Sequence, residues 1–222
     1  MPETDLDRQT AYWDAVADTK RFAHPLHEPW LAEVDRAAAV LDYGCGYGRT
    51  LHHLEQLGFR RLSGADTSPG MIARARDLHP APRFEVLDEP PALTGTADGS
   101  VDLAVLFAVL TCVPGDEAQQ GLIAELGRVL APGGLLYVSD LLLQDDERNL
   151  DRYARFAGRY GTHGVFETGD GAVCRHHSAD RLAALLAAFE TVHTRRITVP
   201  TMNGHEAQGM QLLVRKPLDD GR

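Results

Sequence analysis

The amino-acid sequence predicts a doubly wound α/β fold, a mostly parallel sheet with helices on both faces. Three observations carry this. Strand-like and helix-like patterns alternate along the 222 residues, as parallel strands joined by crossover helices require. The run Val40-Leu41 ends abruptly at Asp42 and three alternate glycines, Gly44, Gly46 and Gly48, before Leu51, Leu54 and Leu57 recur at helical spacing. A strand there feeds a helix through a tight loop. Leu103 to Ala108 is continuous and apolar, as a strand covered on both faces should be.

Taken in order, residues Asp5 to Trp30 carry Tyr12, Trp13, Phe22, His24 and Trp30 ahead of the first strand. They read as a leading helix packed on the sheet, or as an aromatic cover over a ligand. In the glycine loop, alternate glycines permit φ > 0 and let a ligand approach the main chain. The unpaired N–H groups of the next helix favour an anionic group there, so a cofactor is expected. Arg61 to Asp66 is a short strand ending in an acid, and Ser68 with Pro69 opens a helix. An acid at that strand tip can accept hydrogen bonds from both ribose hydroxyls, which adenosyl and NAD cofactors share. Arg83 to Leu87 is a third strand, followed by Asp88-Glu89.

Gln119 to Leu130 reads as an amphipathic helix and Leu135 to Asp140 as the fifth strand. The segment from Asp140 to His177 is too long for a simple connection and should carry structure of its own. Arg148 to Tyr160 suggests a helix with Tyr153, Phe156 and Tyr160 on an aromatic face. Val165 to Glu167 and Ala172 to Arg175 flank Gly169-Asp170-Gly171 as a hairpin. Ser178 caps a helix through Ala188, and Thr191 to Val199 and Gln208 to Lys216 read as two final, mutually antiparallel strands.

Composition narrows the function. A net charge of −10 and the lack of a basic stripe argue against a nucleic-acid surface and favour a small substrate. The apolar runs Leu103 to Leu110 and Leu182 to Phe189 fall short of the roughly 20 residues that cross a membrane. Met1 to Asp5 is acidic, unlike a signal peptide, so a cytoplasmic protein is expected. The three cysteines form no C-x-x-C, so neither a disulfide framework nor a zinc ribbon is indicated. No metal site is expected, because adjacent His176 and His177 cannot both face one ion from a regular strand.

Asp42-Tyr43-Gly44-Cys45-Gly46-Tyr47-Gly48 resembles the cofactor loop of class I S-adenosylmethionine (SAM)-dependent methyltransferases, and Arg49 stands where a dinucleotide pattern needs its third glycine. Gly64-Ala65-Asp66-Thr67-Ser68-Pro69-Gly70-Met71-Ile72, Asp98-Gly99-Ser100-Val101-Asp102 and Arg128-Val129-Leu130-Ala131-Pro132-Gly133-Gly134 are similar to further segments of that family, covering residues 38 to 142. The resemblance implies a Rossmann-like, seven-stranded sheet of order 3-2-1-4-5-7-6 in one domain, with a lid inserted after the fifth strand. Its parts are leading helices (1–37), a cofactor-binding core (38–144), a substrate lid (145–177), and a last helix with two strands (178–222). SAM would be held by Tyr12, Trp13, Asp42, Gly44, Cys45, Gly46, Gly48, Asp66, Thr67, Met71 and Phe107, with Asp88 or Glu89 on the adenine amino group.

Ligands of an open parallel sheet bind outside the carboxyl ends of its strands, where strand order reverses. For the lid this points to Tyr153, Phe156, Tyr160, Phe166, Arg175 and Asn203 as acceptor contacts, although the aromatics would equally serve to pin the lid to the core. Methyl transfer asks the protein for positioning, water exclusion and, with a protonated acceptor, a base. His163, His176 and Asp140 are the expected candidates, with His24, His177 and His205 on the same face. The implied function is methyl transfer from SAM to a small molecule. An NAD-linked oxidoreductase and a non-catalytic SAM-binding regulatory protein are the rivals, and a homodimer is left open.

Overall fold

A computed structural model describes residues 6–218, and the acidic start, residues 1–5, lies outside them. Seven strands form one sheet: β1 (Ala39–Tyr43), β2 (Arg61–Asp66), β3 (Arg83–Val86), β4 (Val101–Phe107), β5 (Leu130–Leu141), β8 (Glu190–Pro200) and β9 (Glu206–Arg215). Two short strands, β6 (Val165–Glu167) and β7 (Val173–Arg175), pair separately as an antiparallel hairpin. The large sheet runs β3-β2-β1-β4-β5-β9-β8. With the hairpin set aside this is the expected 3-2-1-4-5-7-6. β1 pairs in parallel with both β2 and β4, while β9 runs antiparallel to β5 and β8. The order therefore reverses beside β1, where the glycine loop emerges.

The strands alternate side chains between two cores. On one face Leu41, Leu106, Leu136 and Leu212 meet Leu122, Ile123 and Leu126 of α4 (Asp116–Val129) and Leu182 of α6 (Ala179–Leu185). On the other, Val40, Leu103, Val105 and Leu213 meet Leu51 and Leu54 of α2 (Arg49–Gln56) and Ile72 and Ala75 of α3 (Pro69–Leu78). Each fully buried leucine is worth about 1.5–3 kcal/mol.

Boundaries differ from expectation where turn chemistry intervenes. α4 begins at Asp116 rather than Gln119, with Asp116 and Glu117 in its first turn, where carboxylates suit the positive helix end. β5 begins at Leu130, whose pairing with Val101 shifts register before Leu103 pairs with Leu135. Pro132-Gly133-Gly134 is thus a bulge within the strand rather than a turn ahead of it. The leading segment is a short helix, α1 (Thr10–Ala15), and a 3₁₀ turn at Glu28–Leu31. Asp14 fastens α1 to the start of α3 by accepting from the Gly70 N–H at 2.9 Å and the Ser68 hydroxyl.

Between β5 and α6 the lid consists of α5 (Glu147–Tyr160) and the hairpin. The Asp146 side chain caps α5 at its start and Gly161, in the left-handed conformation, ends it. Tyr153, Phe166, Ala172 and Cys174 form a small core of their own, packed against Tyr12, Phe156 and Met202. No helix among the described residues is long and apolar enough to cross a membrane.

Candidate active site

A cavity of 370 Å³ opens at the carboxyl ends of β1, β2 and β4. Its walls include Asp42, Gly44, Cys45, Gly46, Asp66, Thr67, Met71 and Phe107, with Trp13 and Phe22 from the leading segment. The loop is held from β2: the Gly44 and Cys45 N–H groups donate to the Ala65 carbonyl at 2.8 and 3.1 Å, and the Gly46 N–H to Asp66 at 2.8 Å. The other Asp66 oxygen accepts from the Ser68 N–H at 2.9 Å. Gly44 and Gly46 have φ of 70° and 52°, so glycine is required by the backbone itself. A Cβ on Gly44 would lie 2.4 Å from Val109, and one on Gly46 3.0 Å from the Phe22 ring. The loop is thus tight against its neighbours as well as open to a ligand.

Two polar groups on this wall lack partners. Asp42 Oδ2 and Arg49 Nε are buried without a hydrogen bond. Burial, with a smaller push from Asp66, raises the Asp42 pKa to about 7, although the Arg49 guanidinium opposes it. Buried polar atoms without partners are rare in native interiors, and a carboxyl and a guanidinium on one cavity wall match the ammonium and carboxylate of an amino-acid end group. Leu87, Pro90, Pro91, Val113 and Leu122 make the other end of the cavity apolar, as a purine ring would require. Asp66, with lone pairs beyond its two backbone bonds, stands on the wall with both groups. The residues fit SAM.

A second cavity, of 280 Å³, lies under the lid. It shares Trp13, Phe22, His24, Ala108 and Cys112 with the first, so the two adjoin. Ala108 takes a left-handed φ of 57° at this junction, a strained conformation for a residue with a Cβ. Phe166, His176 and Asn203 line the second cavity as expected, together with Arg148, Asn149 and Arg152 of α5. The buried ring of His176 accepts the Tyr153 hydroxyl at Nδ1, 2.6 Å away, because the Tyr153 oxygen already accepts from the Gln144 N–H. The His24 Nδ1 lies 2.9 Å from Ser139 Oγ, which also accepts from Gln211 Nε2. With its Nδ1 accepting, His176 carries its proton on Nε2. Burial, then nearby arginine charge, pulls the pKa values down to about 4 for His24 and about 3 for His176.

Several expected site residues serve the frame instead. His163 is exposed and packs edge-on against Tyr153, outside either cavity. Asp140 is fully buried and lines neither cavity. Its oxygens accept from the N–H groups of Leu141 and Thr111, holding the loop after β4, and burial raises its pKa to about 7. Arg175 donates to the Pro114 carbonyl at 2.8 Å and to Asp116 at 2.7 Å, pinning β7 to the start of α4. Tyr153, Phe156 and Tyr160 face the lid's own core or its edge, with the Tyr160 hydroxyl on Glu167. Asp88 and Glu89 point to solvent, because the chain turns at Pro90-Pro91 and presents Leu87 and the prolines instead. Gly48 caps α2 and faces His79 and Phe84 rather than the cavity.

Tyr12 is likewise not a cavity residue. Its hydroxyl donates to Asp170 of the hairpin at 3.0 Å, beside Lys20, which bonds both Asp170 and Asn203. One carboxylate thus gathers the leading segment, the hairpin and the bend between β8 and β9. Gln9 makes a second, buried tie: Nε2 donates to the Cys112 and Val173 carbonyls, and Oε1 accepts from the Val173 N–H. Sequence reasoning passed over Gln9 and also Arg148, Asn149 and Arg152. The spacing of Arg148 and Arg152, one helical turn apart and flanking the buried Asn149-Tyr153 stripe, was the available signal.

Comparison with known proteins agrees with this geometry. Residues 41–138 match the family described as "Methyltransferase domain". The chain is 37% identical over 158 residues to a trans-aconitate 2-methyltransferase of Methylobacterium nodulans, covering 65% of this chain and 56% of that protein. It spans about half the length, or less, of the first curated relatives it matches. Among solved structures, a SAM-dependent methyltransferase from Methanosarcina mazei superposes with a TM-score of 0.82 at 24% identity, covering 88% of this chain and 100% of that one. A Burkholderia thailandensis 1,6-didemethyltoxoflavin-N1-methyltransferase, solved with its 1,6-didemethyltoxoflavin and S-adenosylhomocysteine, gives 0.62 at 19% identity, over 94% and 79%. With the strand order, the glycine loop and the adjoining cavities, these matches show that the chain has the fold of the class I SAM-dependent methyltransferases and is similar to them in sequence over residues 41–138.

Proposed function

We propose that this chain transfers a methyl group from SAM to a small-molecule acceptor, in the cytoplasm, as one domain whose lid closes the acceptor site. The observation that carries the reading is the pair of adjoining cavities, one over the glycine loop and one under the lid, meeting at Trp13, Phe22 and His24. In this reading Asp42 takes the ammonium and Arg49 the carboxylate of the cofactor, Asp66 its ribose hydroxyls, and Leu87 with Pro90 and Pro91 flank its base. When bound, SAM supplies an activated methyl on a sulfonium, so the chemistry needs no further activation of the leaving group.

What the chain adds is position and dryness. Trp13 and Phe22 wall both cavities, and Phe166 of the lid core lines the second. His176, neutral and with Nδ1 already accepting, is a hydrogen-bond donor rather than a base, and burial makes His24 a weak base, with a pKa of about 4. The acceptor must then arrive with its nucleophilic lone pair free.

The test is calorimetric titration with S-adenosylhomocysteine and with NAD, followed by incubation with methyl-labelled SAM and a metabolite extract. Binding of S-adenosylhomocysteine but not NAD, with label appearing in a small molecule, is expected. Preference for NAD would assign an oxidoreductase instead, and cofactor binding without transfer to any metabolite would favour a regulatory SAM-binding protein.

A further inference from the structure

The wall of the lid cavity is unbalanced in charge. Arg148 and Arg152 both reach it, one turn apart on α5. The one carboxylate on the wall among the described residues, Glu167, is already engaged by the Arg159 guanidinium and by the Tyr160 hydroxyl at 2.8 Å. The other ion pairs of the region, Lys20 with Asp170 and Arg148 with Asp146 at 3.8 Å, leave Arg152 without a carboxylate among the described residues. Its Nε is buried without a partner. The guanidinium lies 3.5 Å from the Phe166 ring centroid, which fixes its plane.

The neutral groups point the same way. His176, with its Nδ1 taken by the Tyr153 hydroxyl and its proton on Nε2, lines this wall together with the buried ring of His24. The only buried acceptor without a partner on the wall is Asn149 Oδ1. A cavity rich in donors and cations, with one lone acceptor, is complementary to a ligand rich in acceptors and negatively charged.

We propose that the lid cavity binds an acceptor bearing a carboxylate, held by Arg152 with Arg148 beside it and by the Nε2–H group of His176. The planar fork of Arg152 matches the two coplanar oxygens of a carboxylate. Asn149 Oδ1 is left to receive a hydroxyl or amide hydrogen elsewhere on the same molecule. The proposal names the substrate class of the methyl-transfer reading and rests on it only for the reason a small molecule enters here.

The experiment uses the full chain, with and without saturating S-adenosylhomocysteine. Benzoate, phenylacetate, succinate and citrate are titrated by calorimetry against their primary amides, with phenyl phosphate as a further anion. At least one carboxylate should bind ten or more times tighter than its amide, on the order of the advantage of a charge-assisted bond over a neutral one. Arg152→Met should remove that advantage while leaving S-adenosylhomocysteine affinity unchanged, and Arg152→Lys, which keeps the charge but not the fork, should restore only part of it. A panel in which no carboxylate outbinds its amide, tighter binding of phenyl phosphate than of every carboxylate, or an Arg152→Met variant that binds carboxylates as the parent does would each overturn the proposal. Failure of S-adenosylhomocysteine to bind would sink the cofactor reading instead, and the titrations without it would still decide this one.

Discussion

The ring of His176 gives a pH experiment whose size follows from the structure. It is 3% exposed, its Nδ1 receives the Tyr153 hydroxyl, and burial takes its pKa from 6.5 to about 3. Between those two values the unfolded chain binds a proton that the folded protein does not, so stability rises with pH across that window and falls as the medium is acidified. At about pH 5 the unfolded ring is protonated roughly thirty to one while the folded ring is still neutral. The stability lost relative to about pH 7.5 is therefore about 2 kcal/mol, fixed almost wholly by the unfolded side. His176→Asn keeps an acceptor near the Nδ1 position and cannot be protonated. Urea unfolding of parent and variant at both pH values should show the parent losing about 2 kcal/mol more than the variant on acidification. The difference is needed because His24 and His177, also depressed, add losses of the same sign. Asp42 and Asp140, both raised to about 7, do the reverse and favour the folded state at low pH. Parallel pH dependences in parent and variant would refute the buried, neutral histidine.

Two further outcomes follow from the frame. Asp66→Asn keeps the shape of the side chain but loses the charge that the Gly46 and Ser68 N–H groups address. Affinity for S-adenosylhomocysteine should drop by about 1.5–3 kcal/mol, and calorimetry showing parental affinity would remove Asp66 from the cofactor site. Arg175→Met breaks the bonds to Pro114 and Asp116 and should lower stability by about 1–3 kcal/mol in a urea titration. The Michaelis constant for the acceptor should stay at its parental value, whereas a rise without loss of stability would return Arg175 to the substrate site.

The sheet and the cofactor cavity were legible because both are written in local patterns. Glycines with positive φ, a strand ending in Asp66 and a Ser68 cap each occupy a few consecutive residues. The lid was legible as a helix and a hairpin for the same reason. Which of its side chains face the acceptor was not, because that depends on how α5 rolls against the hairpin. Aromatic spacing located the face that packs inward, toward Phe166 and Cys174, so Tyr153 and Phe156 became pins. The cavity fell to the neighbouring stripe of Arg148 and Arg152. Asp140 and Arg175 misled in another way. A charged residue at a strand end reads as chemistry until its partners are known, and theirs are main-chain groups and Asp116. Gln9, separated by 164 residues from its partner Val173, left no trace in any local window.

The gathering of Tyr12, Lys20 and Asn203 on Asp170 makes the outer edge of the roof of the acceptor cavity unlike its inner edge. The inner edge is tied by the buried side chain of Gln9, which bonds Val173 of the hairpin and Cys112. The outer edge of the roof is gathered on a carboxylate 36% exposed to solvent, and contacts of that kind hold by at most about 1 kcal/mol and weaken as ions screen them. Dissolved salt therefore reaches only one of the two sets of ties that hold the hairpin, the Asp170 cluster, and leaves the buried bonds of Gln9 untouched.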